Sequence, residues 1–261
     1  MSAKVIVFGN QKGGTGKSTL AVHLSVSLLN QGYKIATIDV DARQGTFSRY
    51  IENRRKTQLI SPEILISSHT TLFEDDSDSI AVLEKNNKEK FEKLVHSHQD
   101  FDFIIIDTPG NDSHLSKLAH SYADVIITPM NESFIDLDLL VKIQDDKSKD
   151  LKPSVYAESV WTQKKERAVR DKGMIDWIVL VNRMSNIGSN NRQELEKVLR
   201  ALSKRIGFRL ANGFKERVIF RELFRTGLTI LDKSSPLSQM TLSHIAARQE
   251  LNELLRTINI T

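Results

Sequence analysis

The chain has 261 residues, 39% of them apolar and 27% charged, with a net charge of +4 and no cysteine. That length can bury a large core in one α/β domain spanning 1–261; disulfides, thiolate metal sites and cysteine-held iron–sulfur clusters are excluded. No apolar run approaches a membrane span, and Met1-Ser2-Ala3-Lys4 leads into a short strand without signal-peptide anatomy, so a soluble cytoplasmic protein with no membrane partner is expected. Charge is uneven: residues 1–150 carry 17 Lys+Arg against 22 Asp+Glu, a net of −5, and residues 151–261 carry 20 against 11, a net of +9. A basic face of this kind can meet a polyanion or can simply be solvated.

Residues 5–8, Val-Ile-Val-Phe, read as a strand that breaks into Gly9-Asn10-Gln11-Lys12-Gly13-Gly14-Thr15-Gly16 and restarts as a helix at Lys17-Ser18-Thr19. Strand, glycine loop and helix in that order make a phosphate-binding loop. Four of the 12 glycines fall between 9 and 16, which suits a backbone that turns sharply and presents bare N–H groups to an anion. The positive end of the following helix stands behind them. The usual pattern, G-x-x-x-x-G-K-[ST], fails at its first position, where Gln11 replaces glycine, and a second lysine, Lys12, precedes Gly13. Apolar spacing predicts the helix through 19–29, Gly32 ends it, and 34–39 predicts the next strand. Such a crossover implies a parallel sheet. Asp39 and Asp41 then leave the strand's C-terminal end, where open parallel sheets place their ligands.

Residues 44–58 predict a helix whose basic end, Arg54-Arg55-Lys56, answers the helix dipole. The stretch 57–79 is weakly patterned and reads as exposed loop, and 80–97 predicts a helix. Phe103 to Ile106 is a continuous apolar run, as a central parallel strand requires, and Asp107-Thr108-Pro109-Gly110 follows it. Further strands are predicted at 124–128, broken by Pro129, and at 154–160 and 177–181; 134–144 predicts a helix, and 161–172 a basic, mobile loop. The clearest amphipathic helix is 191–206, with Leu195, Leu199, Leu202 and Ile206 on one side and Lys197, Arg200 and Lys204 on the other. A final helix at 241–258 is expected to pack against the domain, since its apolar residues do not share the single face of a membrane-surface helix.

Taken together, Lys17, Ser18 and Asp107 turn the loop into a Mg²⁺–ATP site. The N–H groups of residues 13–18 hold the β-phosphate, Lys17 reaches the β and γ oxygens, and the Ser18 hydroxyl ligates Mg²⁺, which Asp107 meets through water. The candidate loop residues are Gln11, Lys12, Gly13, Gly14, Thr15, Gly16, Lys17, Ser18 and Thr19. Asn182, followed by Arg183, is a candidate for reading adenine; a strand-end asparagine in a turn is the equal alternative. The guanine-reading Asn-Lys-x-Asp is absent, so ATP is expected rather than GTP.

The loop 12–19 resembles the deviant phosphate loop of the ParA/MinD class of ATPases, whose extra lysine is its signature. The resemblance implies a P-loop NTPase fold with a mostly parallel twisted sheet and helices on both faces. It also implies a nucleotide-sandwich homodimer in which Lys12 crosses to the phosphates of the other subunit. It makes Asp41 the residue that positions the attacking water, with Asp39 nearer the metal's outer shell. A closer resemblance, to the branch that positions the bacterial division plane, rests on residues 38–44, 52–55, 107–110, 128–131, 217–224, 227–232 and 246–251. Only 57–79 and the stretch after Trp161 fall outside it.

Resemblance to the class implies a switch with slow ATP hydrolysis and nonspecific DNA binding by the ATP dimer, hence nucleoid association, and the branch implies ParB-like and FtsZ-like partners. The candidate DNA contacts are Lys197, Arg200, Lys204, Arg217 and Arg221; five such contacts would give a salt slope of about −4 to −5. The alternatives are a ParA-type partition ATPase, a metabolic synthetase or kinase of the same superfamily, and a DNA-binding module that uses ATP as structural glue. Reductases of the nitrogenase iron-protein type share the loop but need cysteines.

Overall fold

The computed structural model describes residues 2–142, 152–185, 190–232 and 241–260. In chain order its elements are β1 (Lys4–Phe8), α1 (Lys17–Asn30), β2 (Ile35–Asp39), α2 (Thr46–Gln58), β3 (Ser68–Thr71), α3 (Ile80–Ser97), β4 (Phe103–Asp107), α4 (His114–Tyr122) and β5 (Val125–Asn131). There follow a 3₁₀ turn (Phe134–Leu139), β6 (Val141–Lys142), β7 (Lys152–Pro153), α5 (Val155–Asp171), β8 (Asp176–Asn182), α6 (Asn190–Ile206), β9 (Arg209–Ala211), α7 (Ile219–Phe224) and α8 (Leu242–Thr257). Seven strands form one sheet in the order β3-β2-β4-β1-β5-β8-β9, and every pairing in it is parallel.

Alternation along the strands assigns each side chain to a face. Val5, Val7, Ile104 and Ile106 pack with α3, α4, α5 and α6, whereas Ile6, Phe8, Phe103 and Ile105 pack with α1, α2 and α8. Buried on both faces, β4 reads as the unbroken run Phe-Ile-Ile-Ile. The expected helix at the end of the chain packs as anticipated, with Leu251, Leu254, Leu255 and Ile258 in the core. No helix among the described residues is long and apolar enough to cross a membrane.

Five expectations fail locally. The strand at 154–160 and the mobile loop at 161–172 are one helix, α5, capped by Ser154, whose Oγ accepts from the Ala157 N–H at 3.0 Å. Tyr156, Ala157, Val160 and Gln163 are its buried stripe, a helical spacing that the β-branched residues disguise. Three of its basic residues are ties: Arg167 reaches Asp124 at 2.8 Å, Lys164 the Gly207 carbonyl at 3.1 Å and Arg170 the Ser121 carbonyl at 2.9 Å. β5 runs through Pro129 because β1 pairs with β5 only as far as Ile127, so no neighbour on that side needs the missing N–H. The helix at 134–144 is instead the 3₁₀ turn and β6, and residues 143 and 144 lie outside those described. The loop at 57–79 contains strand β3.

Arg54 also departs from expectation. Its side chain is 1% exposed and forms a bidentate pair with Asp232, both contacts at 2.7 Å, and it donates to the Leu65 and Gly227 carbonyls. It ties α2 to the chain after α7 instead of answering a dipole.

Two imidazoles are fully enclosed. His23 and His120 are each pulled down to about 4, first by burial, against the opposing hydrogen bonds to the Thr19 and Ser116 carbonyls. Unfolding frees both to bind protons below about pH 6.5. The contribution of these two rings to stability is therefore fully present above that pH and is lost as the pH falls toward 4. Urea unfolding between pH 7.5 and 4.5 is expected to show a decline that steepens to about 2.7 kcal/mol per pH unit when both sites differ between the two states. A pH-independent midpoint over that interval would contradict it.

Candidate nucleotide site

β1 ends at the sheet's centre, and Gly9 continues its ladder with an N–H to the Ile127 carbonyl at 3.0 Å. Gly14 and Gly16 have φ of +73° and +90°, a region that glycine enters without strain. A Cβ on Gly16 would also stand 2.2 Å from the Asn182 amide nitrogen. α1 starts at Lys17 with no side-chain cap on its N-terminal end, so the positive end of the helix faces the loop. The Asp107-Thr108-Pro109-Gly110 turn closes the other side, where a Cβ on Gly110 would lie 2.9 Å from the Gly13 nitrogen.

Lys17 is 7% exposed and its Nζ donates to the Lys12 carbonyl at 3.1 Å. Burial lowers its pKa, against the pull of Asp107 and Asp41. The Ser18 hydroxyl donates to Asp107 Oδ2 at 2.5 Å. Asp107 is held well above the usual carboxylate range, first by burial and then by the charge of Asp39, its register neighbour on β2. Its second oxygen, Oδ1, is buried without a partner.

That orphaned oxygen and the adjacent hydroxyl are the donor pair a Mg²⁺ ion fits. No cluster of three or more His, Cys, Asp or Glu able to hold a metal exists among the described residues. The chain thus offers an incomplete set, as suits an ion that takes its remaining ligands from phosphate and water.

Asp41 follows β2 with its pKa raised, chiefly by burial. The Asp39 oxygens accept from the Asp41 N–H at 2.9 Å and from the Ser48 N–H and hydroxyl at 2.9 and 2.8 Å. Asp39 organises the backbone of the Asp41 loop.

Lys12 is turned away from its own loop. Its Nζ donates to the Ile135 carbonyl at 2.8 Å and to Asp136 Oδ1 at 3.0 Å. Asp136 is steadied in turn by the Asn131 N–H at 2.9 Å. The neighbouring Ile135 side chain is 75% exposed. Sequence reasoning missed Asp136, whose approach depends on a 3₁₀ turn that resembled a helix.

Asn182 donates to the Thr15 carbonyl at 2.7 Å and so braces the loop from β8. It also lines a small cleft with Gly16, Thr19, Arg183, Glu216 and Phe220, the last two unforeseen. Arg183 is exposed with φ of +56°. Of the basic candidates, Lys197, Arg200 and Lys204 lie on the exposed side of α6, and Arg221 is exposed on α7, paired with Glu216 at 3.0 Å. Arg217 is a correction: its side chain is 6% exposed and locked to Glu250 by contacts of 2.5 and 2.8 Å. It is a structural ion pair.

The parallel sheet, the glycine loop at the end of β1 and the Lys17–Ser18–Asp107 group define a P-loop NTPase of the ParA/MinD class. The sequence profile described as "ATPase MipZ" matches residues 4–261, and the chain belongs to that family of ATPases. It is 30% identical over 162 residues to the septum site-determining protein MinD of Helicobacter pylori, a match covering 56% of this chain and 60% of that protein. The chain thus matches only about three fifths of that relative's length.

Solved structures agree on the fold along the whole chain. An ATP complex of McdA from Cyanothece superposes with a TM-score of 0.64 at 14% identity, covering 100% of this chain and 98% of McdA. MinD from Pyrococcus horikoshii with Mg-ADP gives 0.61 at 17%, covering 99% and 98%.

Proposed function

We propose that the chain, acting as a single domain, is an ATP-dependent switch that dimerises on binding ATP, hydrolyses it slowly and binds DNA nonspecifically as the dimer, regulating placement of the bacterial division site. The observation that carries this reading is Lys12, a loop cation held at an exposed surface beside Ile135 and not over its own Lys17 pocket. A cation so placed can serve the phosphates of a second copy. Bound Mg²⁺ would supply charge neutralisation of the triphosphate; the Ser18 hydroxyl would ligate it and Asp107 would meet it through water. Loop N–H groups and Lys17 bind the phosphates, Asp41 orients the attacking water, and Asn182 and Arg183 border the base. Proteins resembling ParB and FtsZ are the partners that membership of the family suggests.

Size-exclusion chromatography with ATP and Mg²⁺ tests the switch. Wild type should shift from monomer to dimer, Lys12→Ala should remain monomeric, and Asp41→Ala should accumulate dimer. A wild type that is monomeric throughout removes the proposal.

With Arg217 withdrawn, four cations per protomer remain for DNA. Their contacts should give a log–log salt slope of about −3.6 per protomer, doubled when both protomers of a dimer engage. Arg200→Ala with Lys204→Ala should make that slope shallower by about 1.8 per protomer. A salt-independent affinity would overturn this part.

A further inference from the structure

The stretch 57–79 contributes β3 to the sheet edge. Register then decides what it does. Thr37 pairs with His69 and Asp39 with Thr71. Because side chains alternate along a strand, all four point to one face of the sheet. α2 covers that face, with Phe47 edge-on to the His69 ring at 5.3 Å and Ser48 beside Asp39.

The hydrogen bonds within this cluster have one consistent direction. Ser48 has a single hydroxyl proton, and the Asp39 carboxylate, which can only accept, takes it at 2.8 Å. The Ser48 oxygen must therefore accept from the Thr71 hydroxyl at 2.7 Å and from His69 Nε2 at 3.0 Å. With its proton on Nε2, His69 accepts at Nδ1 from the Thr37 hydroxyl at 2.9 Å, and Thr37 accepts from Ser67 at 2.8 Å. The shorter contacts of Ser67, Thr37, His69 and Ser48 all run toward Asp39, beside a longer one of 3.4 Å from the Thr37 hydroxyl to the Ser68 carbonyl. The other Asp39 oxygen holds the Asp41 N–H at 2.9 Å.

We propose that Ser48 and His69 are positioning residues for hydrolysis: by fixing the orientation of Asp39, they set the backbone from which Asp41 aims the attacking water. The assignment rests on the role proposed above for Asp41. It gives β3 a purpose beyond closing the sheet edge, since without His69 the Ser48 hydroxyl loses a donor that keeps its own proton on Asp39. Ser48 on α2 and His69 on β3 lie outside the phosphate loop, so their removal acts on the chemical step and not on ATP affinity. Misplacing a catalytic group by an ångström lowers turnover on the order of 100-fold.

Steady-state ATP turnover on the full chain tests this, with Ser48→Ala, Ser48→Thr, His69→Ala, His69→Gln and Asp41→Ala compared at equal folded fraction by circular dichroism. The alanine variants at 48 and 69 should lose about 10- to 100-fold in kcat with KM for ATP unchanged. Ser48→Thr, which keeps the hydroxyl, and His69→Gln, which keeps an N–H donor, should recover most of the loss. Wild-type kcat in Ser48→Ala beside an inactive Asp41→Ala overturns the proposal while leaving the role of Asp41 intact. Conservative variants as impaired as the alanines, or a KM that rises as kcat falls, also overturn it. Full turnover by Asp41→Ala removes this inference together with the reading beneath it.

Discussion

Lys12→Ala is expected to retain ATP binding while losing about 10³-fold or more in turnover, the range spanned by cations supplied in trans to a transferring phosphoryl group. Binding survives because Lys17, not Lys12, occupies the buried end of the loop. Turnover fails because the transition-state charge then lacks its second cation. Lys12 rests in a contact that a stronger partner can replace. Its side chain is 34% exposed in the pair with Asp136, and a pair of that exposure contributes no more than about 1 kcal/mol. A dry triphosphate can outbid that contact. Two measurements check the point: nucleotide binding by fluorescence with a labelled ATP, and phosphate release as a function of protein concentration. Wild-type turnover per molecule should rise with concentration as dimer forms, and the variant's should stay flat near zero. Wild-type activity in Lys12→Ala, or a wild-type rate independent of concentration, would place the lysine outside the chemistry.

Arg54→Ala should destabilise the fold by about 3–5 kcal/mol, the cost of leaving one partner of a buried ion pair alone. Asp232 is 7% exposed at its side chain and accepts from Thr229 as well as from Arg54. Burial alone would raise its pKa, yet Arg54 and Thr229 hold it below the usual carboxylate range. Removing Arg54 strands that charge and also orphans the Leu65 and Gly227 carbonyls. Since domains are stable by only about 5–15 kcal/mol, the loss is a large share of the total. Arg54→Lys should rescue little, because an ammonium cannot reproduce a bidentate fork together with two carbonyl contacts. Urea unfolding by tryptophan fluorescence reads the effect, and a loss under about 1 kcal/mol would show that the pair merely breaks even.

The phosphate loop was legible from sequence because its chemistry is local: glycines at positive φ, a lysine and a serine at a helix start. β4 was legible because burial on both faces leaves only apolar residues, and α3 and α6 because their apolar spacing is regular. What could not be read depends on distant partners. α5 looked like a strand and a loop because Val155, Tyr156 and Val160 favour extended chain in isolation, while the tertiary contacts of Trp161, Lys164 and Arg167 settle the matter. β3 is four half-exposed residues whose identity as a strand comes from β2. Arg54 and Arg217 sat in basic stretches and looked like surface. Their acids lie 178 and 33 residues away, and only folding brings them together. Lys12 was recognised as special from the loop pattern, but its resting partner Asp136 was not.

The absence of room at Gly110 has a kinetic consequence. With a Cβ there only 2.9 Å from the Gly13 nitrogen, the turn after β4 and the phosphate loop meet main chain to main chain, with no side chain between them to absorb a shift. Two surfaces in such contact have no backlash: a small advance of one displaces the other by a similar amount. The two loops should therefore share a single relaxation time, and spectroscopic probes attached near either one should report identical rates.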